Sequence, residues 1–491
     1  MSAARPRLPC LSTGSAAFDE ILGGGLPARS VNVIAGEPGA GKTILALQML
    51  FHQARLGKKG LYLTTLSEPS LKLASYMQQF SFFDERLIAD KRVVVADLGS
   101  VMRRKGADET LAEIIGRIEQ EEPAVVVIDS FKALRDLLGD APAMRTFNYD
   151  LAVHVSSWGA ASLLVGEYTA AEIATFSEFA IADGIIRLGN RRDELRAIRE
   201  VEVLKLRGAN VVTGGHFFEI TADGLAFFPR VRGPDGAFPE PEDLDARAPT
   251  GVAGLDDMLG GGLPRASATV VQGGTGTGKT MLGLQFLLEG ARQGEPGIHF
   301  ALEETANQLR RVAQMFGWDL RPFEERGLLT FRYVSPVELS TDRFLAEARD
   351  EVARLGARRA VLDSLTSMAL GVPSERRFKE LVYAMTKHFR AAGVTINMNM
   401  EISDLLGSAR LSGHGVSFAA DNVIQLKYVE VDGHLERGVS VLKARGVRHA
   451  TDVRRLDLGE GRIEVTTAFA GMRGVLTGLP KPVKPPTRGA R

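Results

Sequence analysis

The chain has 491 residues, with 45% hydrophobic and 24% charged, and 60 basic side chains balance 60 acidic ones. That length is too great for one core and suits two domains of about 240 residues. The balance speaks against a global positive field for nucleic acid or an anionic membrane, although a local basic loop would not register in the total. One cysteine, Cys10, rules out an internal disulfide or a thiolate metal cluster and suits a reducing cytoplasm. The opening MSAARPRLPCLSTG lacks a signal-peptide core, and no apolar run approaches the roughly 18 residues that span a bilayer. A soluble, cytoplasmic chain with neither membrane nor nucleic-acid contact is expected.

Residues 18–43 read FDEILGGGLPARSVNVIAGEPGAGKT. The run 30–35 (SVNVIA) has the pattern of a buried strand and 42–56 that of an amphipathic helix. G-x-x-x-x-G-K-T therefore lies between a strand and a helix start, the context in which a glycine loop wraps phosphates. Further strand patterns fall at 60–65, 92–96, 124–129, 161–165 and 184–188, with a helical pattern at 108–121. From 229 to 249 proline, glycine and charge replace periodicity. This predicts a first domain over 1–235 and a linker over 236–249. Residues 255–280, LDDMLGGGLPRASATVVQGGTGTGKT, then repeat the opening stretch. Strand patterns follow at 268–272, 297–302, 328–334, 359–363, 394–399 and 422–427, within a second domain over 250–477. The final segment, 478–491, is basic and broken by prolines, and reads as a disordered tail. Alternating strand and helix patterns predict a mostly parallel sheet flanked by helices in each half.

In the first loop Gly36, Gly39 and Gly41 let backbone N–H groups face phosphate oxygens, Lys42 reaches the outer phosphates and Thr43 holds Mg²⁺. Gly273, Gly276, Gly278, Lys279 and Thr280 repeat those roles. VVVID and AVLD end apolar strands on Asp129 and Asp363, where an acid orients the metal. A carboxylate is also needed to activate the attacking water. HFALEETANQL places Glu303 and Glu304 after a strand expected to neighbour the phosphate loop, and Glu303 is the preferred base. The matching YLTTLSEPSLKL offers Ser67 and Glu68 instead, so the first site uses Glu68 or hydrolyses slowly. VLKLRG at 203–208 recurs as VLKARG at 441–446. Strand alternation puts Lys205 with Arg207, and Lys443 with Arg445, on one face, and the repetition points to phosphate contact.

These features together resemble the KaiC family of RecA-like P-loop ATPases, across nearly the whole chain. The resemblance rests on GGGLP before each loop, Glu303-Glu304, FGWDL at 316–320, the KxRG pairs and QLKYVE at 425–430. It implies two tandem RecA-like P-loop NTPase domains that bind ATP and Mg²⁺ in a homo-hexameric double ring. It further implies that Lys205, Arg207, Lys443 and Arg445 reach the γ-phosphate on the adjacent copy, and that a regulatory protein partner exists. The clock member phosphorylates itself on adjacent Ser and Thr residues in its second domain. Here that pair falls on Ser417 and Phe418, so one hydroxyl is gone, and Ser412 lies nearby. Two other readings stay open: a DNA-dependent ATPase of the same fold, and a scaffold in which ATP only holds the ring together.

Overall fold

Val125-Val126-Val127-Ile128 is apolar at every position, the pattern of a strand covered on both faces. In the structure, a computed structural model, it forms the strand Val125–Asp129, and all four residues are fully buried. Val125 and Val127 enter one core with Leu45, Met49 and Phe51 of the helix Lys42–Arg55. Val126 and Ile128 enter the opposite core with Ile114, Ile118 and Leu151. The structure describes residues 9–65, 75–138, 141–193, 196–230, 245–372, 374–402, 418–431, 433–459, 461–467, 469, 472–473 and 481–482. Ser67, Glu68, Ser412 and Ser417 lie outside them, as do most of the expected linker and tail.

The chain divides into two units, Met1–Arg230 and Val231–Arg491. Every expected strand of the first half is present: Val31–Gly36, Gly60–Thr64, Val93–Asp97, Val125–Asp129, Ala161–Glu167 and Gly184–Asp193. The second half supplies Ala268–Gly273, Gly297–Ala301, Leu329–Tyr333, Arg359–Asp363, Thr395–Glu401 and Asn422–Val431. The helix expected at 108–121 begins earlier and spans Gly99–Glu121. Its first turns carry no apolar periodicity to announce them.

Each unit holds a 9-stranded sheet of the same order. In the first, Val93–Asp97, Gly60–Thr64, Val125–Asp129, Ala161–Glu167, Val31–Gly36 and Gly184–Asp193 follow one another and are all parallel. Arg196–Leu206, Gly215–Thr221 and Gly224–Phe228 continue the sheet antiparallel. The second sheet repeats this with His434–Ala444, Arg454–Gly459 and Arg462–Thr466 as its antiparallel end. The phosphate-loop strand is central in both, so its loop opens at the carboxyl ends of the parallel strands, where ligands of open α/β sheets bind.

The structure corrects three expectations. Gly297–Ala301, the strand before Glu303, does not adjoin the phosphate-loop strand: Arg359–Asp363 and Thr395–Glu401 intervene. Hydrophobic patterns locate strands but carry no strand order. Arg247–Ala248, which composition placed in the linker, pair with Leu263–Pro264, and Ala248 is fully buried. Lys481–Pro482 of the expected tail pair with Met472–Arg473. Strands of two residues are too short for any period to reveal.

One buried cation fastens the second unit. The Arg359 side chain is fully buried and ion-pairs with Glu295 at 2.7 Å. It also donates to Pro249 O at 2.6 Å and Phe286 O at 3.0 Å. Gly290 leaves room for it, since a Cβ there would lie 2.4 Å from Arg359 Cδ. Removing one partner of a buried pair strands the other charge. Arg359→Met should therefore lower the stability of the second unit by about 3 kcal/mol, measured by urea unfolding. A loss under about 1 kcal/mol, the scale of an exposed pair, would refute the clamp.

Candidate functional site

The loop between Val31–Gly36 and Lys42–Arg55 is shaped by its glycines. Gly41 and its counterpart Gly278 precede their helices at φ +93° and +102°, left-handed values that glycine adopts freely. A Cβ at Gly36 would come 2.2 Å from Leu188 O. The helix begins at Lys42, so first-turn N–H groups without intrahelical acceptors face the cavity mouth. Lys42 Nζ donates to Glu37 O at 2.7 Å and lies 3.9 Å from Glu167 Oε1. Lys279 Nζ donates to Gly273 O and Gly274 O, each at 2.9 Å. Burial pushes both lysines below their ordinary pKa, against nearby Glu167 and Asp129 in one unit and Glu401 and Asp363 in the other.

Thr43 Oγ1 donates to Asp129 Oδ2 at 2.7 Å, and Thr280 Oγ1 to Asp363 Oδ2 at 2.7 Å. Each pair joins the first turn of the loop helix to the end of a strand two places away in the sheet. A hydroxyl and a carboxylate are the oxygen donors a hard cation such as Mg²⁺ takes. In the first unit the pair lines a cavity of about 660 Å³ with Lys42, Tyr62, Lys132 and Glu167, within the range of small-ligand pockets. The donor set and the glycine cradle fit a nucleotide phosphate chain with its metal.

Although its strand is not adjacent to the loop strand, Glu303 reaches the site. Ser364 Oγ donates to Glu303 Oε1 at 2.8 Å, and Ser367 Oγ donates to the same oxygen. The neighbouring Glu304 has a raised pKa, from partial burial first and then from Asp363 and Glu303. The first-unit counterparts, Ser67 and Glu68, are outside the described residues.

The Lys/Arg pairs sit elsewhere. Lys205 faces Ile185, which is level with Val33, whereas the loop leaves the sheet after Gly36. At about 3.3 Å per residue that is about 10 Å toward the opposite end of the strand. Arg207 lies one residue beyond its strand, Arg196–Leu206, and a register shift at Leu204 interrupts the ladder just before Lys205. Lys205 Nζ donates to Ala180 O at 3.3 Å, and Arg207, 61% exposed, lies 3.3 Å from Asp183. Lys443 likewise donates to Ala420 O at 2.6 Å, and Arg445, 64% exposed, lies 3.9 Å from Asp421. The expected loops and strand-ending acids thus come together in each unit, and the expected cations do not join their own site.

The KaiC ATPase family profile matches residues 11–232 and again 248–469. The chain belongs to the KaiC ATPase family. Its relatives include the circadian clock oscillator protein KaiC of Picosynechococcus sp., 29% identical over 94% of this chain and 90% of the relative. Circadian clock oscillator protein KaiC 1 of Synechocystis sp. is 30% identical over 94% and 90%. Circadian clock protein KaiC3 of Synechocystis sp. is 28% identical over 96% and 94%. Family membership makes this a nucleotide-binding ATPase with tandem RecA-like domains. Among the described residues no helix is long and apolar enough to cross a membrane.

Several site residues escaped the sequence. Glu167 and Glu401 end the strands beside the two loop strands, level with Gly36 and Gly273. Thr275 Oγ1 donates to Glu401 at 2.6 Å. Their signal, a strand pattern closing on Glu in both halves (ASLLVGE and TINMNME), was there to be found. Tyr62 OH donates to Asp129 Oδ2 at 3.0 Å. At the same sheet position the second unit has His299, fully buried, with neither ring nitrogen hydrogen-bonded. Burial pushes His299 below its ordinary pKa of 6.5, with Asp363 opposing. The unfolded chain therefore takes up the proton first as pH falls through 6.5, and the second unit loses stability there by up to about 1.4 kcal/mol per pH unit. His299→Tyr should blunt that acid sensitivity in unfolding measured at neutral and mildly acid pH; an unchanged loss would show that other groups cause it.

Proposed function

We propose that both units bind ATP with Mg²⁺ and that copies of the chain assemble into a ring, hexameric by family resemblance, in which each site is completed by the next copy. The observation that carries the reading is the Thr–Asp bond at each loop mouth, found twice at 2.7 Å. The far-end placement of exposed Arg207 and Arg445 supports completion in trans. The names of the relatives, circadian clock proteins, support a role in signalling or timing.

When bound, the nucleotide supplies the phosphoryl group and the metal neutralises its charge. Loop N–H groups, Lys42 and Lys279 hold the phosphates, and incoming negative charge offsets the desolvation of these lysines. Thr43 with Asp129, and Thr280 with Asp363, orient the metal. In the second unit Glu303 accepts the proton of the attacking hydroxyl, from water or from Ser417, with Glu304 beside it. Serine autokinase activity and hydrolysis differ only in which hydroxyl stands in line. Phe418, where the resemblance would put a second acceptor, stacks on Tyr383 at 6.4 Å and 19° and has no hydroxyl to phosphorylate. Lys205 with Arg207, and Lys443 with Arg445, stabilise transition-state charge on the neighbouring copy.

Lys279→Ala should lower second-site turnover by about 10²-fold or more. Arg445→Ala should do the same through the neighbouring copy. Mixing the two variants should restore part of the lost second-site phosphate release, because one copy brings the loop and the other the arginine. A mixture as inactive as its components would refute the shared site.

A further inference from the structure

The carboxylate assigned to proton transfer is held by two hydroxyls that the known roles of the site do not use. Ser364 and Ser367 are 3% and 6% exposed, and both donate to Glu303 Oε1. Their hydroxyl oxygens are 3.1 Å apart. Ser364 is also the N-cap of the helix Leu365–Leu370 and accepts from Ser367 N at 3.2 Å. Both serines are thus fixed to the start of a packed helix, directly after the metal-positioning Asp363. Glu303 stands beyond its strand, and its side chain would otherwise sample several rotamers. Two donors on one oxygen choose one of them.

The first unit supplies an internal comparison. The registers Thr64 with Asp129 and Ala301 with Asp363 align the two units. Ser130 then matches Ser364 and Ala133 matches Ser367. By strand register Glu303 falls opposite Leu66, and the motif match, one residue longer in the first unit, puts Ser67 there, neither of them a carboxylate. The carboxylate and one of its two donors are missing from the same unit. A serine kept only to start its helix has no reason to vary with Glu303, because Ser364 already caps that helix.

We propose that Ser367 is a positioning residue for Glu303, and that the two ATP sites are unequal because the first lacks both members of the pair. The inference rests on the reading of Glu303 as the activating carboxylate. It adds what holds that group and which site carries the faster turnover.

The test uses the full chain, with the rate of Lys279→Ala subtracted as the share of the first site. Ser367→Ala should lower second-site kcat about tenfold, the scale of one hydrogen bond to a charged acceptor. KM for ATP and Tm should stay unchanged, and Ser367→Thr should restore most of the rate. Wild-type kcat in Ser367→Ala, with Glu303→Gln inactive, would overturn the positioning role alone. Wild-type kcat in Glu303→Gln would instead overturn the base assignment beneath it. The converse graft is independent of folding at Ser367. In a Lys279→Ala background, Ser67→Glu with Ala133→Ser should release phosphate faster than Ser67→Glu alone, and equal rates would overturn the inference.

Discussion

A single hydrogen bond, from the first turn of the loop helix to the end of a strand two places away, organises each unit. Thr43 to Asp129 and Thr280 to Asp363, both 2.7 Å, fix where a metal and a phosphate chain would meet. The bond forms only if the helix axis, the loop and the Asp strand agree to within a fraction of an ångström. The strands meet that condition by being buried on both faces, which leaves the sheet no freedom to slide. Glycine meets it in the loop, at φ values that a side chain would resist. The apolar bulk of each unit therefore acts as a frame for one polar contact.

Much of this frame is legible in the chain. The two loops, the acids at the ends of VVVID and AVLD, and six parallel strands per half all follow from pattern and spacing. What was not legible is what pattern cannot encode. Strand order is a tertiary fact, so Glu303 could be assigned to the site but not to the route by which it arrives. The register shift at Leu204 leaves no mark in the alternating pattern EVEVLKL, and neither does the end of the strand just before Arg207. Arg359 reads as a charge at a strand start, where solvent would be its ordinary neighbour. Only the space left by Gly290 and the carbonyls of Pro249 and Phe286 shows why it is buried.

Duplication also lets the two halves be compared without any outside reference. The first unit docks the segment after Glu167 with charge: Lys132 pairs with Glu172 at 2.8 Å and Arg135 with the buried Glu178 at 2.6 Å. The second has Thr366 and Ala369 at those two places and can make neither pair. Conversely, the Arg359 clamp belongs to the second unit, where Val125 takes its place in the first. Stability is thus distributed differently over one topology. The first unit anchors its loops beside the site, and the second anchors the far end of its sheet.

The same accounting holds inside the sites, where one fold carries two different hydrogen-bond networks. Each has a polar donor to spare beyond the shared Thr–Asp bond. In the first unit it is Tyr62, and it goes to the strand-ending Asp129 at 3.0 Å. In the second unit that position is His299, which donates nothing to Asp363, and the extra donor is Ser367, which goes to Glu303. A hydrogen bond to a carboxylate fixes its direction and lowers its basicity together. On Asp129 it adds a second donor to the oxygen that already accepts from Thr43. Under the proposed roles, the same bond placed on Glu303 gives a carboxylate that points at one spot, which favours turnover. On that proposal, a change of one side chain on each of two elements would suffice to move the emphasis from holding to hydrolysing, with the sheet, the loop and the glycine geometry untouched.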